Sequence, residues 1–282
     1  MPLISTSELV GDACSRGSAI AAFNVITLEH AEAVVHGAEE AGAPVIVQIS
    51  ENAVKFHAAR PIPLTRAAAA LAESSTVGVG LHLDHVTDLA LLHLAADAGF
   101  SSAMFDAAHE SYPDNLAHTA AAVRWAHDNG LWLEAELGYV GGKPDSPASA
   151  HTAGVRTDPD EARHFVAETG VDALAVAVGS SHAMTTRTAT LDHDLIAALA
   201  AAVPVPLVLH GSSGVPDEDL SRAVAAGIRK INIGTALNIA YTHGVREFLD
   251  RDATVVDPRK YLARARTEMA GVVRHLLATV SG

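Results

Sequence analysis

Two reactive side chains, Asp84 and His85, end an apolar stretch that begins at Val79. The stretch has the composition of a buried strand, and burying an unpaired charge costs on the order of several kcal/mol. A carboxylate and an imidazole in this position therefore need a partner, a metal ion or a substrate. The pattern indicates a functional site at the end of a strand.

Two further histidines, His182 and His210, also follow apolar, strand-like runs. Three imidazoles at three strand ends are what a zinc site with an open coordination position needs. The chain has 16 histidines, and several lie in helix-like stretches, where a solvated or hydrogen-bonded role is the ordinary interpretation. The shared position of His85, His182 and His210 favours metal binding for these three.

Carboxylates mark the fourth and fifth apolar runs. Asp106 ends the fourth run, and Glu134 and Glu136 lie two residues apart in the fifth. Because residues two apart on a strand face the same side, two glutamates inside a barrel would repel each other. A second cation or a raised pKa would relieve that repulsion; alternatively, one glutamate is paired with a nearby Arg or Lys. Asp84 is open to three roles: it orients a metal-bound histidine, binds the metal or acts as a general acid.

A turn rich in Gly and Ser, residues 211–214, precedes a helix-like stretch, and Gly234 and Thr235 follow the last apolar run. In barrels of alternating strands and helices, the loops after strands seven and eight commonly bind phosphate. Backbone N–H groups at such turns hold an anion without any lysine. The alternative for the turn taken alone is a purely structural role.

Eight apolar runs alternate with longer helix-like stretches, which predicts a (β/α)8 TIM barrel forming one domain over residues 1–282. A helical tail, about residues 251–282, extends beyond the eighth unit. The alternative is a doubly wound sheet, but the turn after the first run lacks the G-x-G-x-x-G fingerprint. The runs lie at residues 20–25, 45–50, 77–84, 102–106, 131–137, 173–178, 207–210 and 230–233.

Two long loops, residues 138–157 and 179–191, follow the fifth and sixth runs. Loops of this length in a compact domain are usually lids or binding loops. We therefore expect both to contribute to the site.

Composition narrows the function. The formal charge is −14, which argues against general nucleic-acid binding because phosphate backbones need basic patches. The single cysteine, Cys14, excludes an intrachain disulfide and fits a reducing compartment. With no signal-peptide pattern and no long apolar run, we expect a soluble, cytoplasmic protein without membrane contact.

Taken together, the motifs resemble those of the class II, zinc-dependent ketose-bisphosphate aldolases, which include fructose- and tagatose-1,6-bisphosphate aldolases. The match spans nearly the whole chain. The motifs that carry it are Leu81-His82-Leu83-Asp84-His85, Glu134-Ala135-Glu136-Leu137-Gly138 with Gly141-Gly142, Gly179-Ser180-Ser181-His182, Leu209-His210-Gly211-Ser212-Ser213-Gly214, Lys230-Ile231-Asn232-Ile233-Gly234-Thr235 and Asp257-Pro258-Arg259.

The resemblance implies reversible retro-aldol cleavage of a ketose 1,6-bisphosphate to dihydroxyacetone phosphate and glyceraldehyde 3-phosphate. It makes Asp84 the acid/base at the aldehyde or C4 hydroxyl oxygen. One catalytic zinc ion per subunit would be bound by three histidines, and an alternative metal location by two carboxylates. These residues are His85, His182 and His210, and Asp106 and Glu136.

The same resemblance implies a subsite for dihydroxyacetone phosphate, often with a monovalent cation, Na⁺ or K⁺, near the phosphate loops. Arg259 matches an arginine that contacts the second phosphate, sometimes from a neighbouring subunit, so a homodimer or homotetramer is implied. The residues matched or adjacent to this subsite are Asn24, Ser50, Gly179, Ala183, Gly211, Ser213, Asn232, Gly234 and Thr235.

Two positions depart from the family pattern. An acidic lid usually follows Gly141 and Gly142, but here the chain reads Lys143-Pro144-Asp145, which leaves Asp145 as the candidate base for the ketone-side proton. Ala183 replaces the glycine that usually follows the second histidine. Alanine presents its N–H comfortably at negative φ but not at positive φ. We therefore expect altered specificity or a modest rate.

Three alternatives remain at this point. An inositol-catabolism aldolase that cleaves a phosphorylated deoxy-keto-gluconate would use the same donor subsite. A zinc hydrolase would use the three histidines to generate hydroxide but would not need the phosphate turns. A non-catalytic relative that binds metal and sugar phosphate would lack the lid base.

Overall fold

Eight parallel strands close into a barrel in the computed structural model, which describes residues 2–138, 140 and 156–281. Each strand pairs with its sequence neighbour, and β1 pairs with β8 to close the ring. The predicted (β/α)8 barrel is confirmed. The strands are β1 Ile20–Asn24, β2 Val45–Ser50, β3 Val79–Val86, β4 Ser102–Phe105, β5 Trp132–Leu137, β6 Ala173–Val176, β7 Leu207–Leu209 and β8 Ile228–Ile233.

Helices surround the barrel and connect successive strands. They are α1 Thr6–Arg16, α2 Leu28–Ala41, α3 Glu51–Phe56, α4 Pro61–Ser74, α5 Leu89–Leu92, α6 Ala95–Ala98, α7 Tyr112–Asp128, α8 Pro159–Thr169, α9 His193–Ala202, α10 Asp217–Ala226, α11 Thr235–Arg251 and α12 Pro258–Val280. The helix-like stretch after β3 is divided into α5 and α6. None of the described helices is both long and apolar enough to cross a lipid bilayer.

The core lies in two places, inside the barrel and between the strands and the outer helices. Strand residues that face outward, such as Phe23, Leu81 and Leu133, are fully or almost fully buried beneath the helices. Each large side chain buried in this way contributes about 1.5–3 kcal/mol relative to exposure. The helical shell therefore fixes the strands, and the strand ends fix the site.

Helix α1 closes the amino-terminal end of the barrel. Leu9 and Val10 of α1 pack against Ile20 and Ile46 inside the ring. A Cβ atom on Gly80 would lie 2.9 Å from the Leu9 side chain, so a glycine at this strand position permits the close approach. Water is thereby kept from the lower part of the barrel, and the accessible end is the carboxyl end.

The predicted C-terminal helical extension is present as α12. It packs against α2 and α11 on the outside of the barrel and buries Met269, Val273 and Leu277. A Cβ atom on Gly37 of α2 would lie 2.6 Å from the Ala270 carbonyl oxygen, so the two helices meet backbone to backbone. The extension therefore belongs to the barrel's helical shell.

Candidate functional site

A cavity of about 530 Å³ opens at the carboxyl ends of the strands. In barrels of this kind, that end carries the functional groups because the βα loops converge there. The predicted site residues that line the cavity are Asn24, Ser50, Asp84, His85, Asp106, His182, Ala183, Gly211, Ser213, Asn232, Gly234 and Thr235.

Asp84 and His85 both face this cavity although they are neighbours on β3. Regular alternation would send consecutive side chains to opposite faces of the sheet. The pairing of β3 with β4 shifts register between Leu83 and Val86, and His85 has a left-handed φ of 51°. An irregularity of this kind re-aims a side chain, which brings a carboxylate and an imidazole from adjacent positions to one face.

Four candidate metal ligands converge beside Asp84. His85, Glu136, His182 and His210 each offer one ligand atom, and these atoms lie within 4.8 Å of one another. The ring centroids of His85 and His210 are 4.8 Å apart, and those of His85 and His182 are 5.1 Å apart. Imidazole and carboxylate donors in a four-ligand set suit zinc, so the residues present fit a divalent metal.

Carboxylates outside this set orient two of the imidazoles. The Asp106 Oδ2 atom lies 2.7 Å from His85 Nδ1, and the Glu134 Oε1 atom lies 2.9 Å from His210 Nε2. Each contact holds one ring nitrogen and so fixes the orientation of the other, which is the usual arrangement around metal-bound histidines. Asp106 is therefore a hydrogen-bond partner of His85. Direct metal binding by Asp106 stays a prediction.

Lys230 resolves the question of the two glutamates. Its ammonium group donates to Glu134 Oε2 at 2.8 Å, and both side chains are fully buried. Burial alone would raise the pKa of Glu134, but the Lys230 charge and His210 lower it below its ordinary value. The interpretation that one glutamate pairs with a nearby lysine is confirmed.

His210 lies between the two glutamates. Its Nδ1 atom is 3.0 Å from Glu136 Oε2, opposite the Nε2 contact with Glu134. Burial alone would lower the pKa of His210, but hydrogen bonds to both carboxylates raise it to about 9. Since a metal ligand must be unprotonated, metal binding at His210 is coupled to loss of a proton.

Asp84 is buried and held by three side-chain amides. Its carboxylate accepts hydrogen bonds from Asn24 at 3.1 Å, Gln48 at 3.3 Å and Asn232 at 3.3 Å. Burial alone would raise the pKa of Asp84, but the neighbouring histidines and Lys230 lower it. The group is thus ionised and fixed in orientation, as a proton acceptor must be.

The phosphate turns lie beside each other on the rim after β7 and β8. Ser213 Oγ accepts a hydrogen bond from the Ala236 N–H in the first turn of α11. At Gly211, φ is 66° and a Cβ atom would lie 2.6 Å from the Ser181 backbone. The loop after β6 therefore contacts the turn after β7. Together with the start of α11, this turn forms a surface suited to binding an anion.

Ala183 adopts the less favourable of the two backbone conformations considered for it. Its φ is 58°, in the left-handed region, where a Cβ atom is strained. The residue still lines the cavity next to His182. Alanine therefore occupies a glycine-like conformation at this point.

Three predicted site residues stand apart from the cavity or outside the described chain. Gly179 lies near Thr190 and the Arg156 guanidinium. Arg259, at the start of α12, is highly exposed and pairs with Asp257 at 2.7 Å. Asp145, with the lid motif around it, falls outside the described residues. The functional roles of all three stay predictions.

Sequence reasoning missed several residues of the site. Lys230 and Gln48 each lie two positions before a predicted site residue, Asn232 and Ser50, on the same strand. Residues at that spacing share a face, so this signal was available. The sequence patterns also did not predict helix α1. A signal for it was present, because Ser5 and Glu8 form a capping box at its start.

An eight-stranded barrel that carries clustered imidazoles and a buried carboxylate at its carboxyl end defines a metal-dependent enzyme. The sequence model for class II fructose-bisphosphate aldolases matches residues 4–281. The chain belongs to this family, whose members are metal-dependent lyases that act on sugar phosphates.

Individual relatives agree with the family match. A fructose-bisphosphate aldolase of Staphylococcus epidermidis is 36% identical over 275 residues, which covers 97% of this chain and 96% of the relative. One of Thermus caldophilus is 37% identical over 295 residues, with 96% of each chain covered.

Solved structures resemble this barrel over its whole length. The YdjI aldolase of Escherichia coli K12 superposes with a TM-score of 0.83 at 32% identity, covering 99% of this chain and 97% of that one. A fructose-bisphosphate aldolase of Campylobacter jejuni gives a TM-score of 0.85 at 25% identity, covering 99% and 95%.

Proposed function

We propose that this protein cleaves a ketose 1,6-bisphosphate of the fructose or tagatose type to dihydroxyacetone phosphate and glyceraldehyde 3-phosphate, reversibly. The observation that carries the proposal is the cluster of His85, His182, His210 and Glu136 beside the ionised Asp84. The names of the relatives support the choice of substrate.

His85, His182 and His210 would hold one zinc ion, with Glu136 within reach of the same position. A bound divalent ion supplies Lewis-acid polarisation of the substrate carbonyl. The protein's own contribution is the orientation of these imidazoles, because Asp106 and Glu134 hold ring nitrogens of His85 and His210.

The phosphate of the dihydroxyacetone half would lie against the turns after β7 and β8. Gly211, Ser213, Gly234 and Thr235 line this part of the cavity. The start of α11 adds the partial positive charge of a helix amino terminus. A monovalent cation, Na⁺ or K⁺, near these turns is part of the proposal.

Asp84 would move the proton at the acceptor oxygen. In the cleavage direction, its carboxylate accepts the proton of the C4 hydroxyl as the C3–C4 bond breaks, and in the reverse direction it returns that proton to the aldehyde oxygen. The amides of Asn24, Gln48 and Asn232 supply hydrogen bonds that keep the carboxylate in one orientation. Asp145 is proposed for the ketone-side proton.

A homodimer or homotetramer, in the cytoplasm, completes the proposal. Arg259 is highly exposed and does not line its own chain's cavity. A role for Arg259 at a second phosphate therefore requires a neighbouring subunit.

The test is an assay of the purified, zinc-loaded protein with fructose 1,6-bisphosphate and tagatose 1,6-bisphosphate, with enzymatic detection of dihydroxyacetone phosphate. We expect cleavage of at least one of them and loss of activity on chelation. Absence of cleavage of both, with zinc demonstrably bound, would contradict the proposal. Exchange of the carbon-three proton of dihydroxyacetone phosphate separates an aldolase from a hydrolase or a binding protein, since only an aldolase catalyses it.

A further inference from the structure

We propose that Lys55 binds the anionic group at the acceptor end of the substrate and so selects acceptors that carry one. The inference rests on the proposed aldolase function and adds a specificity-determining residue to it. Lys55 lies in α3, just after β2, and lines the same cavity as Asp84 and His85.

Charge is the first reason for the inference. Among the described residues that line the cavity, Lys55 is the single Lys or Arg, whereas Glu51, Asp84 and Asp106 all carry carboxylates. A substrate with two anionic groups that enters an acidic protein with a formal charge of −14 meets net repulsion. The Lys55 ammonium at the cavity wall reduces this repulsion in its own neighbourhood.

Position is the second reason. The backbone turns suited to the donor phosphate lie after β7 and β8, whereas Lys55 follows β2, two strands further around the ring from β8. One substrate molecule can therefore contact the turns with its donor phosphate and Lys55 with its other end. The reacting bond then lies near Asp84, whose carboxylate reaches from β3 to side chains of β1, β2 and β8.

The third reason is the way in which Lys55 is held. Glu51 is buried and accepts hydrogen bonds from the Thr87 N–H at 2.6 Å and the Asp88 N–H at 3.2 Å, which tie the end of β2 to the end of β3. Glu51 also accepts a hydrogen bond from Thr87 Oγ1 at 3.0 Å and contacts the Lys55 ammonium at 2.5 Å. The Lys55 side chain is 61% exposed, and Glu51 retains its hydrogen bonds from the Thr87 and Asp88 N–H groups when the lysine moves away. Lys55 can turn to a substrate anion while Glu51 stays anchored.

The candidate substrates share this chemistry. The acceptor half of a ketose 1,6-bisphosphate carries a phosphate, and that of a phosphorylated deoxy-keto-gluconate carries a carboxylate. A lysine ammonium binds either as a point charge. The residue therefore selects for an anion, and the experiment decides which one.

The experiment compares wild type with Lys55→Met, which keeps the aliphatic stem and removes the charge. Values of kcat/KM are measured for ketose 1,6-bisphosphate, the phosphorylated deoxy-keto-gluconate and ketose 1-phosphate, whose acceptor end is neutral. We expect a loss of about 10–100-fold on the anionic substrate that is turned over and a change of less than about threefold on ketose 1-phosphate. Lys55→Arg should retain most of the preference. Equal losses on all substrates, or no loss on the anionic ones, would overturn the proposal.

A matched control and a binding assay keep this result separate from the proposed function. Arg124→Met removes an exposed cation from α7, away from the cavity, and should change none of the ratios. Binding is measured with hexitol 1,6-bisphosphate and hexitol 1-phosphate, which have no ketone and cannot be cleaved. We expect wild type to prefer the bisphosphate and Lys55→Met to lose most of that preference, even if no substrate is turned over. Equal affinities in wild type would refute the role of Lys55 and leave the aldolase proposal standing.

Discussion

Two groups of buried or partly buried polar residues in the barrel meet the cost of burying polar atoms in different ways. Near α1, the hydroxyl cluster consists of Thr6, Ser101, Ser102 and His82. Toward the carboxyl end, the charged cluster consists of Glu134, Glu136, His210 and Lys230. His82 and His210 are both fully buried, yet burial and the Lys230 charge lower the pKa of His82 to about 3, whereas the two glutamates raise the pKa of His210 to about 9.

Neutral hydrogen bonds link the hydroxyl cluster, but His82 Nε2 has no hydrogen-bond partner among the described residues and lies 4.0 Å from Asp84 Oδ1. His82 Nδ1 lies 2.8 Å from Ser102 Oγ, which donates to Thr6 Oγ1 at 2.6 Å. In the charged cluster, ion pairs satisfy the buried groups, at a larger desolvation cost. A buried pair recovers that cost only with good geometry and further hydrogen bonds. The contrast teaches that burial alone does not decide the charge of a histidine. Burial prevails at His82, whereas two carboxylates overcome it at His210. The charged partners lie where a metal and a substrate would be bound.

We expect the largest effect from Asp84→Asn, a change beside the charged cluster that should lower kcat. The amide keeps the shape of the side chain but cannot accept the C4 hydroxyl proton, so kcat should fall by about 10²–10⁴-fold. Zinc content, measured by elemental analysis, should be nearly unchanged. If zinc is lost together with activity, Asp84 holds the metal site together and is not the proton carrier.

Lys230→Met tests the charge balance of the same cluster. The variant leaves the Glu134 charge buried without its lysine partner, so the free energy of unfolding should fall by about 3–5 kcal/mol. Urea denaturation measures the change. The double variant Lys230→Met, Glu134→Gln should recover part of the loss because it removes the unpaired charge. Additive losses in the double variant would show that the pair is not coupled.

Glu134→Gln weakens the orientation of His210. Since outer partners of metal-bound histidines typically matter by about 10–100-fold, zinc affinity should fall within that range. Competition with a chromogenic chelator measures the affinity directly and does not depend on turnover. An unchanged affinity would mean that Glu136 alone orients the imidazole.

Ser102→Ala is the matched change in the hydroxyl cluster and should have the smallest effect. Removing the hydroxyl between His82 and Thr6 should lower the free energy of unfolding by about 1 kcal/mol. Zinc affinity and kcat should match wild type. A drop in zinc affinity similar to that of Glu134→Gln would abolish the distinction between the two clusters.

The barrel and most of the candidate site could be predicted from the sequence because both depend on local patterns. Apolar runs located the strands, and polar residues at their ends located the cavity. The bulge that turns His85 toward Asp84 could not be predicted, because strict alternation places neighbours on opposite faces. Extension of one domain over the whole chain stays a prediction.

Side-chain pairs between distant strands could not be predicted from the sequence either. Lys230 and Glu134 are 96 positions apart, and only closure of the barrel brings β8 and β5 side chains together inside it. A sequence pattern shows that a lysine and a glutamate each face inward, but it does not show that they meet. Residues 141–155, with Asp145, lie outside the described chain, so the structure adds nothing to the prediction for the lid.

The left-handed backbone of Ala183 has a thermodynamic consequence for ligand binding. A left-handed alanine costs about 1–2 kcal/mol in the folded state, while replacing glycine by alanine restricts the unfolded chain and contributes about 0.4–1 kcal/mol in the opposite direction. The strain exceeds the entropic gain, so alanine at this position lowers the stability of the folded state slightly relative to glycine. Its main effect is to narrow the dihedral range of the loop after β6. A loop that is ordered before the ligand arrives loses less entropy on binding, and Ala183 therefore acts as a preorganising element of the cavity.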